Sequence, residues 1–320
     1  MKKTPNLSLV GCLLVCLGLP PGTESPSRTP VMRFPMDEVS GLAPSRRFPG
    51  VYWAIRDSGP GNRETLLAIR IENGRAKAWP DGAQVRVLSV QGATNHDWED
   101  LALDEGGQLW IADTGNNRGN RKDLALLRVS EPNPWEDRQV QVTEQLTLHY
   151  PDAPREGLSW NTEALFFHGG RGWLMTKEPT HGLYRFSLHL VGSGSVVPER
   201  MGSLTPPAEG FRGLVTGAAL SDDGQRLAVS AGRRRLWIYD SPSRTEGRAV
   251  TIQEIVSAAP RWSVPYGPGQ SEWQVEAVCF RPKSHDVLVA AEEGPVWYLP
   301  ALTYEQPWLQ SLDAAAANPR

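Results

Sequence analysis

Cysteine is nearly absent from the chain: three in 320 residues, two of them, Cys12 and Cys16, in an apolar stretch at the N-terminus. Cys279 alone stands in the body of the chain, inside Ala277-Val278-Cys279-Phe280. That excludes an intramolecular disulfide framework and reads Cys279 as a small core residue. A basic excess is also missing. Lys and Arg number 33 against 36 Asp and Glu, a net charge of −3, where a nucleic-acid binder would carry a basic stripe. Arg233-Arg234-Arg235 is too short for one and reads as a solvated turn. Helical periodicity is scarce, with Ala314–Ala317 a short exception. No Gly-x-Ser-x-Gly elbow, His-Glu-x-x-His helix, P-loop or Cys-x-x-Cys pair occurs. The six histidines, at 96, 149, 168, 181, 189 and 285, are not spaced as a metal cluster.

The apolar stretch has a meaning of its own. Lys2 and Lys3 precede Leu7–Leu19, and Pro20-Pro21-Gly22 end it, the order of an export signal over residues 1–22. The run is too short to span a bilayer as a mature helix. Leu9-Val10-Gly11-Cys12 also fits a lipobox, in which Cys12 is lipidated and becomes the first residue. The expectation is an exported monomer, periplasmic, secreted or lipid-anchored in the cell envelope, that meets membrane only through such an anchor at Cys12. Without the signal the net charge falls from −3 to −5, because Lys2 and Lys3 are its only charges.

What the chain has in quantity is Gly (31), Pro (27) and Trp (12), the composition of a turn-rich fold with large side chains to bury. Behind it lies a repeat. Val39-Ser40-Gly41-Leu42-Ala43, Trp98-Glu99-Asp100-Leu101-Ala102, Thr162-Glu163-Ala164-Leu165-Phe166, Val215-Thr216-Gly217-Ala218-Ala219 and Val275-Glu276-Ala277-Val278-Cys279 align, with steps of 59, 64, 53 and 60 residues. Polar turns follow, such as Asp104-Glu105-Gly106-Gly107 and Asp222-Asp223-Gly224, where glycine takes the positive φ of a tight hairpin. Second runs come next (Val51–Ile55, Leu109–Ala112, Trp173–Thr176, Leu227–Ser230, Val287–Ala290), then third runs (Leu66–Ile71, Leu124–Val129, Leu183–Leu188, Leu236–Tyr239, Val296–Leu299). Fourth runs are Gln84–Val90, Gln139–Leu148, Arg200–Leu204 and Val250–Val256. Four strands per period of about 60 residues make one blade of a β-propeller. The fold expected is therefore all-β, a propeller of five four-stranded blades over 31–305, followed by a tail, 306–320. Six blades stay open if a degenerate one hides in 190–215 or 240–272. The fifth period lacks a fourth run, and Val31–Met36 is a strand without a period, so an N-terminal strand should close the ring. Trp53, Trp110, Trp173, Trp237 and Trp297 are placed to pack blade on blade.

Inner strands of a propeller line the channel, so their first residues share one mouth. Those residues are Ser40, Glu99, Glu163, Thr216 and Glu276; two places earlier stand Glu38, Asp97, Asn161, Leu214 and Gln274. The ends of the second strands add Asp57, Asp113, Lys177, Ser230 and Glu292, with a spacing of 14 residues from Glu99 to Asp113, Glu163 to Lys177 and Thr216 to Ser230. Crowded carboxylates repel one another unless a cation compensates. A hard divalent cation such as Ca²⁺, which takes oxygen ligands, would do so, with Glu99, Glu163, Glu276, Asp97 and Asn161 as its ligands. The other compensators are Lys177 and an arginine, Arg118 or Arg121, of the polar loop 113–123. Glu38, Asp57, Asp113, Asn117, Arg121 and Glu292 are then candidates to touch a small anionic substrate, and Glu99, Glu163 and Lys177 candidates for catalysis. His96 is the one histidine beside the site, as a base or as an ordinary loop residue. The competing reading of all these groups is that they cap strand ends in a non-catalytic envelope propeller that binds a protein or glycan.

Asp57-Ser58-Gly59, Asp97-Trp98-Glu99-Asp100, Asp113-Thr114-Gly115-Asn116-Asn117 with Arg121, Asn161-Thr162-Glu163-Ala164 and Thr216-Gly217-Ala218 resemble, in that order and over about residues 35–295, a group of exported bacterial propeller proteins without an assigned function. Asn116 stands where that pattern would carry an Asp. More distantly the chain is similar to the esterase-like phytase and gluconolactonase-type propellers. That resemblance implies a divalent cation held by channel-mouth Glu, Asp and Asn residues, and hydrolysis of a phosphate ester or lactone as the activity to expect.

Overall fold

The computed structural model describes residues 29–305 apart from 62, 152–159, 178–181, 191, 205–213, 232–234, 242–250 and 266–272. The signal over 1–22 with Cys12, the tail 306–320, Arg233, Arg234 and His181 lie outside the described residues.

The chain is a five-bladed β-propeller. Blade 1 runs from its inner strand Val39–Pro44 through Val51–Arg56 and Thr65–Glu72 to Val85–Gln91. Blade 2 is Trp98–Leu103, Gln108–Asp113, Ala125–Ser130 and Gln139–Leu148; blade 3 is Thr162–His168, Arg171–Thr176, Gly182–Ser187 and Glu199–Ser203. Blade 4 is Val215–Leu220, Arg226–Ala231, Arg235–Asp240 and Trp262–Pro265. Blade 5 takes Val275–Phe280, Val287–Ala291 and Pro295–Leu299 from the C-terminal end and completes itself with Met32–Arg33, antiparallel to Pro295 and Val296. The two chain ends thus close the ring in one sheet, as the missing fourth run predicts. Blades 1 and 2 are also joined at their rims, where Gln139–Gln141 pairs in parallel with Ser89–Gln91.

The core follows from strand alternation. Successive side chains point to opposite faces, and each blade has a neighbour on both. Five apolar clusters result, one per blade interface. Trp53 fills the interface of blades 1 and 2, while its neighbours Tyr52 and Ala54 fill that of blades 5 and 1. Trp110, Trp173, Trp237 and Trp297 are likewise buried between blades. Cys279 is buried between blades 5 and 1.

One strand assignment fails. Val250–Val256 reads as the fourth strand of blade 4, but Ile252–Ser257 is a helix and Trp262–Pro265 is that strand. A period of two through Val250, Ile252 and Val256 competes with helical spacing through Ile252, Ile255 and Val256, and the end signal decides. The Thr251 hydroxyl accepts from the Glu254 amide at 3.2 Å, and the Glu254 carboxylate accepts from the Thr251 amide at 3.0 Å. That reciprocal capping satisfies two otherwise orphaned donors, and Ile252 and Ile255 are buried between blades 3 and 4. None of the helices among the described residues is long and apolar enough to cross a membrane.

Candidate functional site

All five inner strands carry the same irregularity. In each, the ladder to the second strand steps over one residue: Ser40, Glu99, Glu163, Thr216 and Glu276. A β-bulge leaves its extra residue unpaired and re-aims its side chain. Because the inner strands touch one another round the ring, five bulges at one height set five side chains around a single opening.

The three glutamates are 1–4% exposed and share one cation. Lys177 follows directly on the second strand of blade 3, and its Nζ lies 3.1 Å from Glu163 Oε1. Burial alone would lower this ammonium, but Glu163, Glu276 and Glu99 outweigh burial and hold it above its usual value. Burial raises all three carboxyls. Glu163 is pushed to about 8 against the pull of Lys177. Glu99 goes well up, with Glu163, Glu276 and Asp97 adding to burial, and Glu276 rises by burial against the pull of Lys177. Asp97, half-buried, also rises, first by desolvation.

Amides fix the ring. Asn161 Nδ2 donates to Glu163 Oε1 at 2.6 Å and to Asn117 Oδ1 at 2.9 Å, while its Oδ1 accepts from the Asn116 amide at 2.5 Å. Asn161 thereby ties the 113–123 loop of blade 2 to the glutamate of blade 3. On blade 5, Gln274 Nε2 donates to Glu276 Oε1 at 2.7 Å and to Glu292 Oε1 at 2.9 Å.

A second carboxylate group straddles the seam where the ring closes. Glu38, Asp57 and Glu292 each offer an oxygen within 4.8 Å of the others, the one such group of metal-ligating type among the described residues. Their backbones interlock: the Glu38 amide donates to Glu292 O at 2.6 Å and the Asp57 amide to Glu38 O at 3.1 Å. Glu38 sits at φ 67, a left-handed conformation uncommon for a residue with a β-carbon, of the kind that collects at functional sites. Asp57 is raised to about 7 by burial and then by the charges of Glu276 and Glu38. Glu292 is raised to about 9 by burial and by its hydrogen-bonded neighbour Glu276.

The residues predicted for this mouth do not all meet there. Glu99, Glu163, Glu276 and Lys177 form its centre with Asp97 and Asn161 beside them, and Glu38, Asp57 and Glu292 form the seam group. Asp113 turns aside. Its oxygens take His96 Nδ1 at 3.1 Å, Arg121 Nη1 at 3.0 Å and the Asp97 amide at 3.1 Å, and with His96 it lines a lateral cleft of about 420 Å³. Arg121 is committed to its own loop, donating also to Asp123, Gly115 O and Asp113 O. The spacing of 14 residues misled here. The residue after the ladder end is Asp57, Lys177 or Glu292 in blades 1, 3 and 5 but Thr114 in blade 2, so Asp113 is one place short. Ser230 pairs with Gly217 inside the ladder, and its Oγ meets Thr216 Oγ1 at 3.2 Å.

Gly115 was legible only as a turn glycine. Its φ is not left-handed; its role is space, since a β-carbon there would overlap both Asp97 Oδ2 and Glu99 Oε1. At the far end of the inner strands the channel is narrow, a pocket of about 70 Å³ between such residues as Leu42, Leu101, Leu165, Phe166 and Val278.

No family model matches the chain, and no curated protein does. Among solved structures, the glutaminyl cyclase of Myxococcus xanthus is similar at a TM-score of 0.47 and 12% identity, over 86% of this chain and 97% of that one.

Proposed function

We propose that this protein binds a divalent cation at its channel mouth through Glu38, Asp57 and Glu292, and that the mouth serves a small ligand, with hydrolysis of a lactone or phosphate ester as the reaction. The observation that carries the reading is three carboxylates within 4.8 Å of one another, two of them pushed up to about 7 and about 9. Carboxyls raised in this way are short of positive charge. An all-oxygen donor set suits a hard ion, Ca²⁺ before a thiolate- or imidazole-seeking metal. Such an ion, when bound, polarises substrate oxygen and acidifies water. The chain's own part is to hold the mouth rigid: Gln274 orients Glu276 and Glu292, and Asn161 with Lys177 orients Glu163. The surplus of carboxylate disfavours a phosphate dianion that arrives alone, so a neutral lactone is the better fit.

Metal analysis of the purified chain tests this, followed by Ca²⁺ titration after chelation. One ion per chain, a melting temperature that rises with Ca²⁺, and loss of both in Glu292→Gln and Asp57→Asn support the reading. A metal-free protein whose melting is indifferent to chelator and to Ca²⁺ returns these carboxylates to a structural role. Lactone and phosphate-ester substrates are then assayed with the loaded protein.

A further inference from the structure

Glu99 differs from the other glutamates of the ring. Glu163 takes Asn161 and Lys177, and Glu276 takes Gln274. Glu99 is only 4% exposed, yet no donor among the described residues reaches its carboxylate. A buried carboxylate without a hydrogen-bond partner is costly and has to be completed from outside or kept neutral. Its Oε1 and Asp97 Oδ2 converge over the bare Cα of Gly115, the space that a side chain there would fill. The surroundings fix the sign of what fits. Asp97, Glu99, Glu163 and Glu276 face one another's charges, with Lys177 the cation that acts on each of them. The protein itself shows which cation they accept, a primary ammonium at 3.1 Å from Glu163.

We propose that Glu99 and Asp97, over Gly115, form a subsite for a second primary ammonium group, carried by the ligand. Three N–H donors on one charged nitrogen can satisfy both carboxylates at once, which neither a hydroxyl nor a quaternary ammonium does. The subsite is separate from the cation group of Glu38, Asp57 and Glu292 and does not rest on it.

Calorimetric titration of the full chain with n-propylammonium tests the subsite, with n-propanol and tetramethylammonium as isosteres that lack the charge or the donors. Saturable binding of n-propylammonium alone is expected, weakened tenfold or more in Glu99→Gln and in Gly115→Ala. Glu99→Gln keeps the shape and relieves repulsion, so it folds even if Gly115→Ala does not. Glu292→Gln, which abolishes Ca²⁺ binding on the reading above, leaves the amine affinity unchanged. No saturable binding by the wild type, equal binding by Glu99→Gln, or equal binding of the two isosteres overturns the proposal. So does a Ca²⁺ stoichiometry that drops in Glu99→Gln, which would give these oxygens to a metal.

Discussion

Blades 1 and 4 share the bulged inner strand of blades 2, 3 and 5 but put it to a different use. Their bulged residues are hydroxyls followed by glycine, Ser40-Gly41 and Thr216-Gly217. Ser40 Oγ donates to Trp98 O and Thr216 Oγ1 to Val275 O, both at 2.6 Å. Those carbonyls belong to the residues just before Glu99 and Glu276. The third glutamate obeys the same rule from another position, for Thr114 Oγ1 donates to Thr162 O, just before Glu163, at 2.8 Å. Each charged bulge is therefore held in place by a hydroxyl from the preceding blade. The uncharged blades are the mounting of the site, and the charged ones its working face.

The largest way to break that division is to remove the cation from the working face. Lys177→Met leaves Glu163 buried without its ion-pair partner, a change that costs about 3–5 kcal/mol for buried pairs. The sign with pH follows from Glu163, whose folded value of about 8 lies above its ordinary 4.5. Its proton stabilises the folded chain fully below the ordinary value, and that contribution is lost as pH rises through about 8. Guanidinium denaturation should show the full deficit at pH 9 and a smaller one at pH 5, where Glu163 is neutral in both proteins. A deficit that does not vary with pH would mean that Lys177 acts through packing alone.

On the mounting side the comparable change is Gly217→Ala. A β-carbon at Gly217 would collide with Glu276 O, and one at Gly41 would stand 2.8 Å from Leu101 N. Both obstacles are backbone, which cannot swing away, so overpacking should cost about 1–3 kcal/mol. The same substitution at exposed Gly82, which has open space around it but a φ of +85, would act only through local backbone strain. A seam that matters should therefore show itself as a lower denaturation midpoint together with weaker Ca²⁺ binding in Gly217→Ala but not in Gly82→Ala.

How much of this could be read in advance depends on whether a feature is local in sequence. The blades are legible because a strand start, a glycine turn and a second strand recur together, and even the closing strand follows from one missing run. The convergence of Glu99, Glu163 and Glu276 follows from the same repeat. The bulge does not, because one extra residue leaves no compositional trace, and it is what makes equal spacing a poor guide at Asp113 and Ser230. Glu38 gives no sign that it will stand at φ 67, since that conformation is imposed by Asp57 and Glu292 from opposite ends of the chain. The Thr251–Glu254 capping box was visible, but an alternating apolar pattern across it carried more weight.

The seam group offers a gentler probe of the working face. Asp57, at about 7, and Glu292, at about 9, have to lose protons before both can ligate an ion. Between pH 7 and 9 one proton is displaced, so apparent Ca²⁺ affinity should climb about tenfold per pH unit; below 7 both are, and the climb steepens. Calorimetry in buffers of different ionisation enthalpy counts those protons directly. An affinity flat from pH 6 to 9 would place the ion elsewhere.

The smallest expected effect is also the sharpest test of the mounting. Thr216→Val keeps the shape of the side chain and removes one hydrogen bond, to Val275 O, worth about 1 kcal/mol. If the hydroxyl only braces two blades, nothing else should change. If it sets Glu276, which shares Gln274 with Glu292, Ca²⁺ affinity should fall several-fold in a chain that has lost little stability. Ser40→Ala makes the control, because it loosens the carbonyl before Glu99 and leaves blade 5 untouched. Equal losses of Ca²⁺ affinity in both variants would show the hydroxyls acting on the ring as a whole. A loss confined to Thr216→Val would show each blade aiming the carboxylate of the next.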